Sequence, residues 1–261
     1  NGTERVIVSQ LHRSPGVDFT VEVQESDRPL HGARIIPERG SWIEMAVTKK
    51  DSLNIRIDQS SKFPVTTFLR AMGEQYGTTE AVIREFYETE KVDAAAVKPQ
   101  MYAVEPVIDP ESGEELVPAA GQFGDAVTRI QTVVKGKIEV VAKPSDVLML
   151  NTLSEDMAAN HQEAVVRIYA RLRPGNPPQL DKARALFEEK FYDENRYRLG
   201  KVGRFRLNRK FHQEVPEDVM TLRVEDLVNC LKYILRLRSG QGFVDDIDHL
   251  GNRRLRTIDE L

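Results

Sequence analysis

The stretch WIEMAVTKKDSLNIRID, residues 42–58, decides the fold class of the first half of this chain. Apolar and polar residues alternate in 42–47 and again in 53–58, which is the period of a half-buried strand. Between them, Lys49–Ser52 has the polar composition of a turn, so the sequence predicts an antiparallel hairpin. Residues 4–11 alternate in the same way and are predicted to form another strand.

Helical periodicity appears further along the chain and dominates its second half. Helices are predicted at 65–72, 78–88, 154–172, 181–191 and 224–237. Thr78 and Ser154 are candidate N-caps, Pro174 should end a helix before Arg173, and Gly240 is a candidate C-cap. Short strands are predicted at 101–108 and 137–142, and a turn at 109–113. The predicted fold is α+β, with antiparallel strands mainly in the first half and amphipathic helices in the second.

The composition is that of an ordinary soluble intracellular protein, with 40% hydrophobic and 30% charged residues in a chain of 261. No apolar run approaches the ~20 residues of a membrane span, so no membrane partner is expected. The single cysteine, Cys230, has apolar neighbours at helical spacing and is expected to be a core thiol in a reducing compartment. Because the chain opens at Asn1 rather than at a methionine, we expect it to be part of a longer protein.

The charge distribution is more informative than the net charge of −4, which argues against a free-standing, non-specific nucleic-acid binder. Residues 196–210, RYRLGKVGRFRLNRK, contain seven basic residues and no acid. Such a stretch can present cations to a polyanion. Alternatively, its cations pair with acids elsewhere, such as Glu188, Glu189 or Asp193. The residues alone leave both interpretations open.

A second polar cluster closes the chain, where three aspartates and a histidine within 245–249 are followed by three arginines within 253–256. One interpretation is a polar loop whose acids cap a short helix. Another is a recognition site, since carboxylates accept hydrogen bonds from base edges and arginines bind phosphate. A third is a metal-dependent hydrolase that uses Asp246, Asp248 and His249, although the adjacent arginines would compete for the carboxylates. Neither a Gly-rich phosphate loop nor a GxSxG motif is present.

Several strings of the sequence, taken in order, resemble the β subunit of bacterial RNA polymerase. They are NGTERVIVSQLHRSPGV (1–17), ARIIP (33–37), RGSW (39–42), IRID (55–58), IYARLRPGNPP (168–178), NRY (195–197), VGR (202–204) and DDIDHLGNRR (245–254). Each string is weakly specific alone, whereas the series in one order is strongly specific. The resemblance is close over 1–70 and 165–261 and loose over 71–164.

This resemblance implies the domain organisation. Residues 18–242 would form the lobe (β2) domain, one wall of the DNA cleft, with a variable subregion at about 89–150. Residues 1–17 and 243–261 would be junction segments leading to the protrusion and fork. The two ends of an inserted domain should lie close together, which predicts that Arg13 lies near Asp248.

The resemblance also implies partners and an assembly. The partners would be DNA, through the non-template strand and the downstream duplex, and the β′, α and σ subunits. The chain would be an enzyme only as part of a nucleotidyltransferase, cytoplasmic and associated with the bacterial nucleoid. The catalytic Mg²⁺ would belong to β′, so no catalytic residue, metal or cofactor is expected here, and the chain alone should not polymerise.

Site residues follow where the strings match. Asp248 would accept hydrogen bonds from a downstream non-template guanine, with Arg13 and Arg173 supporting that pocket. Trp42 would stack with an unpaired non-template base, although its residue type alone predicts a core position. The remaining matches, at the rim of a rifamycin pocket, are Arg5, Val8 and Gln10.

The alternatives are a docking surface for σ or another transcription factor, with DNA contact minor, and the hydrolase already mentioned. The segment between Val17 and Ala33 is shorter and less basic than the commoner family pattern, which puts DNA contacts from that loop in doubt.

Overall fold

A computed structural model describes residues 1–23 and 28–261, so part of the loop between Val17 and Ala33 lies outside the described residues. The strands are β1 (Gln10–Arg13), β2 (Gly16–Glu22), β3 (Leu30–Ile36), β4 (Ile43–Val47), β5 (Leu53–Ile57), β6 (Phe63–Pro64), β7 (Glu90–Asp93), β8 (Tyr102–Ala103), β9 (Val107–Ile108), β10 (Glu115–Val117), β11 (Lys137–Val141) and β12 (Arg253–Arg256). The α-helices are α1 (Val65–Met72), α2 (Thr79–Phe86), α3 (Val127–Val133), α4 (Leu148–Glu155), α5 (His161–Leu172), α6 (Leu180–Phe191), α7 (Gly200–Phe211) and α8 (Val224–Arg238). The α+β prediction is confirmed.

The largest sheet is antiparallel, with the strand order β2-β3-β4-β5-β6. Its centre is the predicted hairpin, in which Ile43 pairs with Ile57 and Val47 with Leu53. The alternation works as expected, because Ile43 and Met45 are buried while the intervening Glu44 lies on the opposite face. The hairpin prediction is therefore confirmed.

One face of this sheet packs on helices to form the main hydrophobic core. The helices in contact with its strands include α1, α4, α7 and α8. Phe68 of α1 lies 5.2 Å from Phe191 of α6, between ring centroids, which extends the core away from the sheet. Cys230 on α8 is fully buried, and burial raises the pKa of its thiol above the ordinary value. The interpretation of Cys230 as a core thiol is confirmed.

A second, smaller core lies within the middle of the chain. It is built on the sheet β7-β11-β8, the hairpin β9–β10 and helix α3. The predicted turn at 109–113 is confirmed, since the Asp109 carboxylate accepts the amides of Glu111 and Ser112. The predicted strand at 101–108 is only partly right, because it is interrupted between β8 and β9.

Two sequence predictions were wrong in their extent. The strand expected at residues 4–11 begins only at Gln10, because its partner β12 ends at Arg256, opposite Gln10. The helix expected at 154–172 begins too early: α5 starts at His161, and residues 154–155 are the end of a separate helix, α4, which the sequence did not predict. The break occurs where Asp156 turns inward and its carboxylate accepts hydrogen bonds from the side chains of α1. The cap of α5 is Asn160, not Ser154.

The other helix predictions are confirmed with small shifts. Thr78 caps α2, because its hydroxyl oxygen accepts a hydrogen bond from the amide of Ala81 at 3.3 Å. Helix α5 ends at Leu172, as Pro174 predicts, and α8 ends just before Ser239. Gly240 follows as the left-handed residue (φ 83°). No helix within the described residues combines the length and hydropathy of a bilayer span.

Candidate nucleic-acid interface

The two ends of the chain meet in a two-stranded antiparallel ladder. Strand β1 pairs with β12, so that Gln10 lies opposite Arg256 and Arg13 opposite Arg253. The amide of Ser14 extends the ladder by donating to the carbonyl of Asn252 at 3.0 Å. The predicted meeting of the ends is confirmed, and it brings the Arg13 strand beside the loop that carries Asp248.

Trp42 lies at the open end of the β4–β5 hairpin and is exposed, with 39% of its surface accessible. Its backbone is held on both sides by Asp58, whose carboxylate accepts the Trp42 amide at 3.0 Å and whose amide donates to the Trp42 carbonyl at 2.9 Å. The guanidinium of Arg13 lies 6.0 Å from the centroid of the indole ring, within the range of a cation–π contact. The interpretation of Trp42 as a core residue is therefore wrong.

The electrostatic surroundings of Arg13 include Asp248. Burial, followed by repulsion from Arg34, lowers the pKa of Arg13 below its ordinary value, and the charges of Asp18, Glu44 and Asp248 oppose that shift. Its Nη1 atom is buried without a hydrogen-bond partner among the residues that the structure describes. We call Arg13, Trp42 and Asp248 together the recognition patch.

The loop before β12 is held by its own polar groups, and these leave Asp248 free. The Asp246 carboxylate accepts the amide of Asp248 at 3.0 Å, and the Asp246 carbonyl accepts the side-chain amide of Asn252 at 2.6 Å. The Nδ1 atom of His249 accepts the amide of Gly251 at 3.0 Å. Within residues 1–23 and 28–261, the exposed carboxylate of Asp248 makes neither a hydrogen bond nor an ion pair.

These contacts also bear on the metal hypothesis. One carboxylate oxygen of Asp246 and the Nδ1 atom of His249 are engaged with backbone amides, so they are not pointed at a shared ion. Within the described part of the chain, no group of three or more His, Cys, Asp or Glu side chains is arranged to hold a metal.

Arg206 of α7 joins the elements on which the recognition patch is built. Its Nη1 atom donates to the carbonyls of Ser14 and Pro15 at 3.0 and 3.1 Å. Its Nη2 atom donates to the carboxylate of Asp18 at 2.8 Å and to the side-chain oxygen of Asn252 at 3.0 Å. One guanidinium thus fixes the end of β1, the start of β2 and the loop before β12.

The basic stretch 196–210 pairs mainly with acids on other elements. Five of its seven cations form ion pairs, namely Arg196–Glu189, Arg198–Glu38, Arg204–Asp226, Arg206–Asp18 and Lys210–Asp245. The pairing interpretation is confirmed for these five, although only Glu189 belongs to the acids named from the sequence. Lys201 and Arg209 are exposed. The remaining partners are distant in the chain, so local spacing carried no signal for Arg206 or Lys210.

The other predicted site residues lie outside the recognition patch. Arg173 is the exposed C-cap residue of α5, and no contact within the described residues connects it with the patch. Arg5 and Val8 are exposed ahead of β1, and Gln10 is the first residue of that strand. These four assignments stay predictions.

Comparison with known proteins gives one consistent family. A model described as RNA polymerase Rpb2, domain 2, matches residues 141–256. The DNA-directed RNA polymerase subunit beta of Rhodopirellula baltica is 52% identical over the whole of this chain, which covers 22% of that protein. Those of Methylacidiphilum infernorum and Citrifermentans bemidjiense are 38% and 36% identical, again over the whole chain, which covers 22% and 24% of them.

The chain thus spans between a fifth and a quarter of the length of the curated relatives it matches. The alignments to them are longer than the chain itself, so these relatives carry additional residues within the matched region. The end-to-end match and the domain model agree in their identification. The chain belongs to the family of DNA-directed RNA polymerase β subunits, and its residues 141–256 match Rpb2 domain 2, in the lobe region.

Proposed function

We propose that this chain is the non-catalytic lobe of an RNA polymerase β subunit, forms one wall of the DNA cleft and binds downstream non-template DNA through the recognition patch. The observation that carries the proposal is the exposed carboxylate of Asp248, which makes no hydrogen bond or ion pair with the described residues and acts electrostatically on Arg13, whose guanidinium contacts the exposed Trp42. Family membership supports the transcriptional setting.

The chemistry of the patch suits an unpaired guanine. Once guanine leaves its base pair, N1–H and N2–H become free donors, and a carboxylate that accepts both would favour guanine over bases without this pair of donors. The indole of Trp42 offers a face on which a base can stack. The guanidinium of Arg13, on which the charge of Asp248 acts, is suited to orient that carboxylate and to meet a phosphate oxygen of the non-template strand.

Within the whole enzyme the lobe would have a recognition role only. We propose that it assembles with the β′, α and σ subunits, that the Mg²⁺ of catalysis is held by β′, and that the assembly acts at the nucleoid in the cytoplasm. Arg173 would support the guanine pocket from α5. Arg5, Val8 and Gln10 would lie at the rim of a rifamycin pocket completed by other parts of the subunit.

Asp248→Ala should reduce the preference for guanine at one downstream non-template position. Losing a contact to a base edge typically costs ~1–3 kcal/mol of discrimination, which is roughly a 5- to 150-fold change in a lifetime ratio. The measurement uses reassembled polymerase that carries this lobe. The lifetime of the open complex is compared on two templates that differ only at that position, one with guanine and one without.

The exposed Asp218, whose side chain is outside the patch, offers a matched control, and Asp218→Ala should leave the lifetime ratio unchanged. Nucleotide addition should remain largely intact in Asp248→Ala, because the residue reads a base and takes no part in the chemistry. Equal lifetimes on the two templates in the unmutated enzyme would remove the base-reading role.

Trp42→Ala should shorten the open-complex lifetime on both templates by a similar factor. A stacking platform accepts any base, and stacking is worth ~1–3 kcal/mol per base. The same pair of templates distinguishes this result from that of Asp248→Ala. A loss confined to the guanine template would contradict the stacking role and would place Trp42 in the base-specific pocket.

A further inference from the structure

The ammonium group of Lys210 lies in a cage of three aromatic rings. It is 4.1 Å from the ring centroid of Phe243, 4.8 Å from that of Tyr233 and 5.3 Å from that of Phe19. The Lys210 side chain is only 11% exposed. The rings belong to the segment after α8, to α8 itself and to β2, so one cation joins three parts of the chain.

The fourth wall of this cage is a carboxylate. Asp245 accepts Lys210 at 2.9 and 3.1 Å through its two oxygens. It is also joined to the large sheet, because its amide donates to the carbonyl of Phe19 at 2.8 Å and its carboxylate accepts the Phe19 amide at 2.8 Å. The loop that carries Asp248 therefore starts from a point tied to both β2 and α7.

The far end of the same loop is held one helical turn away on α7. There Arg206 donates to the side chain of Asn252 and, on the other side, to the carbonyl of Ser14, which follows Arg13. Residues four apart lie on one face of a helix, so Arg206 and Lys210 act side by side. Side chains of helix α7 thus bind both ends of the loop and the end of the strand that carries Arg13.

We propose that Lys210 is a positioning residue for base recognition: by holding Asp245 in the aromatic cage it fixes the loop in which Asp248 faces the base. This inference rests on the proposed function of the recognition patch and adds to it the residue that orders the patch.

A positioning residue of this kind acts by ordering the loop before the base binds. The loop is preceded by Gly240 and Gly242, both with positive φ, and it contains Gly251, so its backbone is intrinsically permissive. Without the cation, the Asp245 carboxylate loses its ion pair, and the loop has more conformations to give up when a base binds. Ordering the loop would then cost free energy whenever Asp248 contacts guanine. Discrimination between guanine and other bases should therefore fall even though Asp248 itself is intact.

Direct phosphate contact by Lys210 is the obvious alternative, and the geometry disfavours it. The ammonium is enclosed by the three rings and already neutralised by Asp245, whereas Arg209, the next residue back, is exposed. A cation that served DNA directly would be expected to resemble Arg209, which makes Arg209 the appropriate control.

The test compares Lys210→Met with Arg209→Met in the reassembled polymerase, on the two templates that differ only at the guanine position. Methionine keeps the apolar stem and removes the charge. Lys210→Met should lower the guanine-to-non-guanine lifetime ratio by about 3- to 10-fold, the range expected when a binding group must be ordered at the moment of binding. Arg209→Met should leave the ratio unchanged.

A second arm asks whether Lys210 acts through Asp248. In the Asp248→Ala background, adding Lys210→Met should lower the ratio no further, because the group that it positions is gone. If Lys210→Met prevents assembly of the enzyme, Asp245→Asn keeps the shape of the partner, removes its charge and should lower the ratio in the same way.

The outcomes separate the two proposals. If Asp248→Ala abolishes the ratio while Lys210→Met and Asp245→Asn leave it intact, the positioning role is wrong and the recognition patch stands. Equal shortening of lifetimes on both templates by Lys210→Met would show a merely structural role and would also overturn the inference. Equal lifetimes on the guanine and non-guanine templates in the unmutated enzyme would overturn the base-reading function and the positioning role together.

Discussion

Replacing Asp226 by alanine should reduce the free energy of unfolding of this chain by about 3–5 kcal/mol. Asp226 and Arg204 form an ion pair of 2.8 Å in which both side chains are fully buried. The carboxylate also accepts the amide of Arg223 at 2.9 Å and the side-chain amide of Gln213 at 2.9 Å. Removing the carboxylate leaves the guanidinium of Arg204 in the core with its charge uncompensated. This costs far more stability than breaking an exposed ion pair would.

Urea unfolding followed by far-UV circular dichroism measures this difference. The adjacent Glu225 supplies a matched control, because it lies in the same first turn of α8 and its side chain is 56% exposed. Glu225→Ala should cost less than about 1 kcal/mol, the range for an acid near a helix N-terminus. If Asp226→Ala lowers the free energy of unfolding no more than Glu225→Ala does, the core accommodates Arg204 without its partner.

Asp156→Ala should produce a loss of similar size, about 3–5 kcal/mol, through a different part of the core. The Asp156 carboxylate is fully buried and accepts Thr66 at 2.8 Å, Thr67 at 2.8 Å and Arg70 at 3.0 Å. The Arg70 side chain is 1% exposed, so alanine would leave it without a counter-ion. Because these hydrogen bonds tie the segment between α4 and α5 to α1, the substitution also removes that connection.

The same urea experiment tests it, with the neighbouring Glu155→Ala as the control, since Glu155 is exposed. Asp156→Asn removes the charge and keeps one of the two acceptor oxygens, so its loss of stability should fall between those of Asp156→Ala and Glu155→Ala. If asparagine is as harmful as alanine, the ion pair with Arg70 dominates; if asparagine is harmless, the hydrogen bonds do. An alanine variant as stable as the Glu155 control would contradict the argument.

The contrast between the β4–β5 hairpin and the α4–α5 break shows what local sequence can predict. Alternation in residues 42–58 is a local signal, and the hairpin follows from it with the correct turn. The break at Asp156 depends on Thr66, Thr67 and Arg70, which lie 86 to 90 residues earlier. Periodicity around Ser154 could not reveal partners so far away, and the predicted helix therefore ran through the break into the last residues of α4.

The recognition patch divides in the same way. Arg13 and Asp248 could be placed together because the ends of an inserted domain should adjoin, and the β1–β12 ladder confirms that reasoning. Trp42 could be assigned to the surface only by resemblance, because a lone tryptophan has no local mark of exposure. The sequence showed Lys210 and Arg206 only as two residues of the basic stretch. Their positioning contacts could not be predicted, since their partners come from both ends of the chain.

The β1–β12 ladder has a consequence for the order in which the molecule forms. It joins the first strand of the chain to the last, so closing it means closing a loop of nearly the entire sequence. Contacts of such separation are costly before the intervening segments are compact. During synthesis, β1 emerges from the ribosome long before β12 exists to pair with it. The recognition patch is therefore among the last features to assemble. Translation that stops before Arg253 should yield a folded core in which the patch is not formed and cannot bind a base.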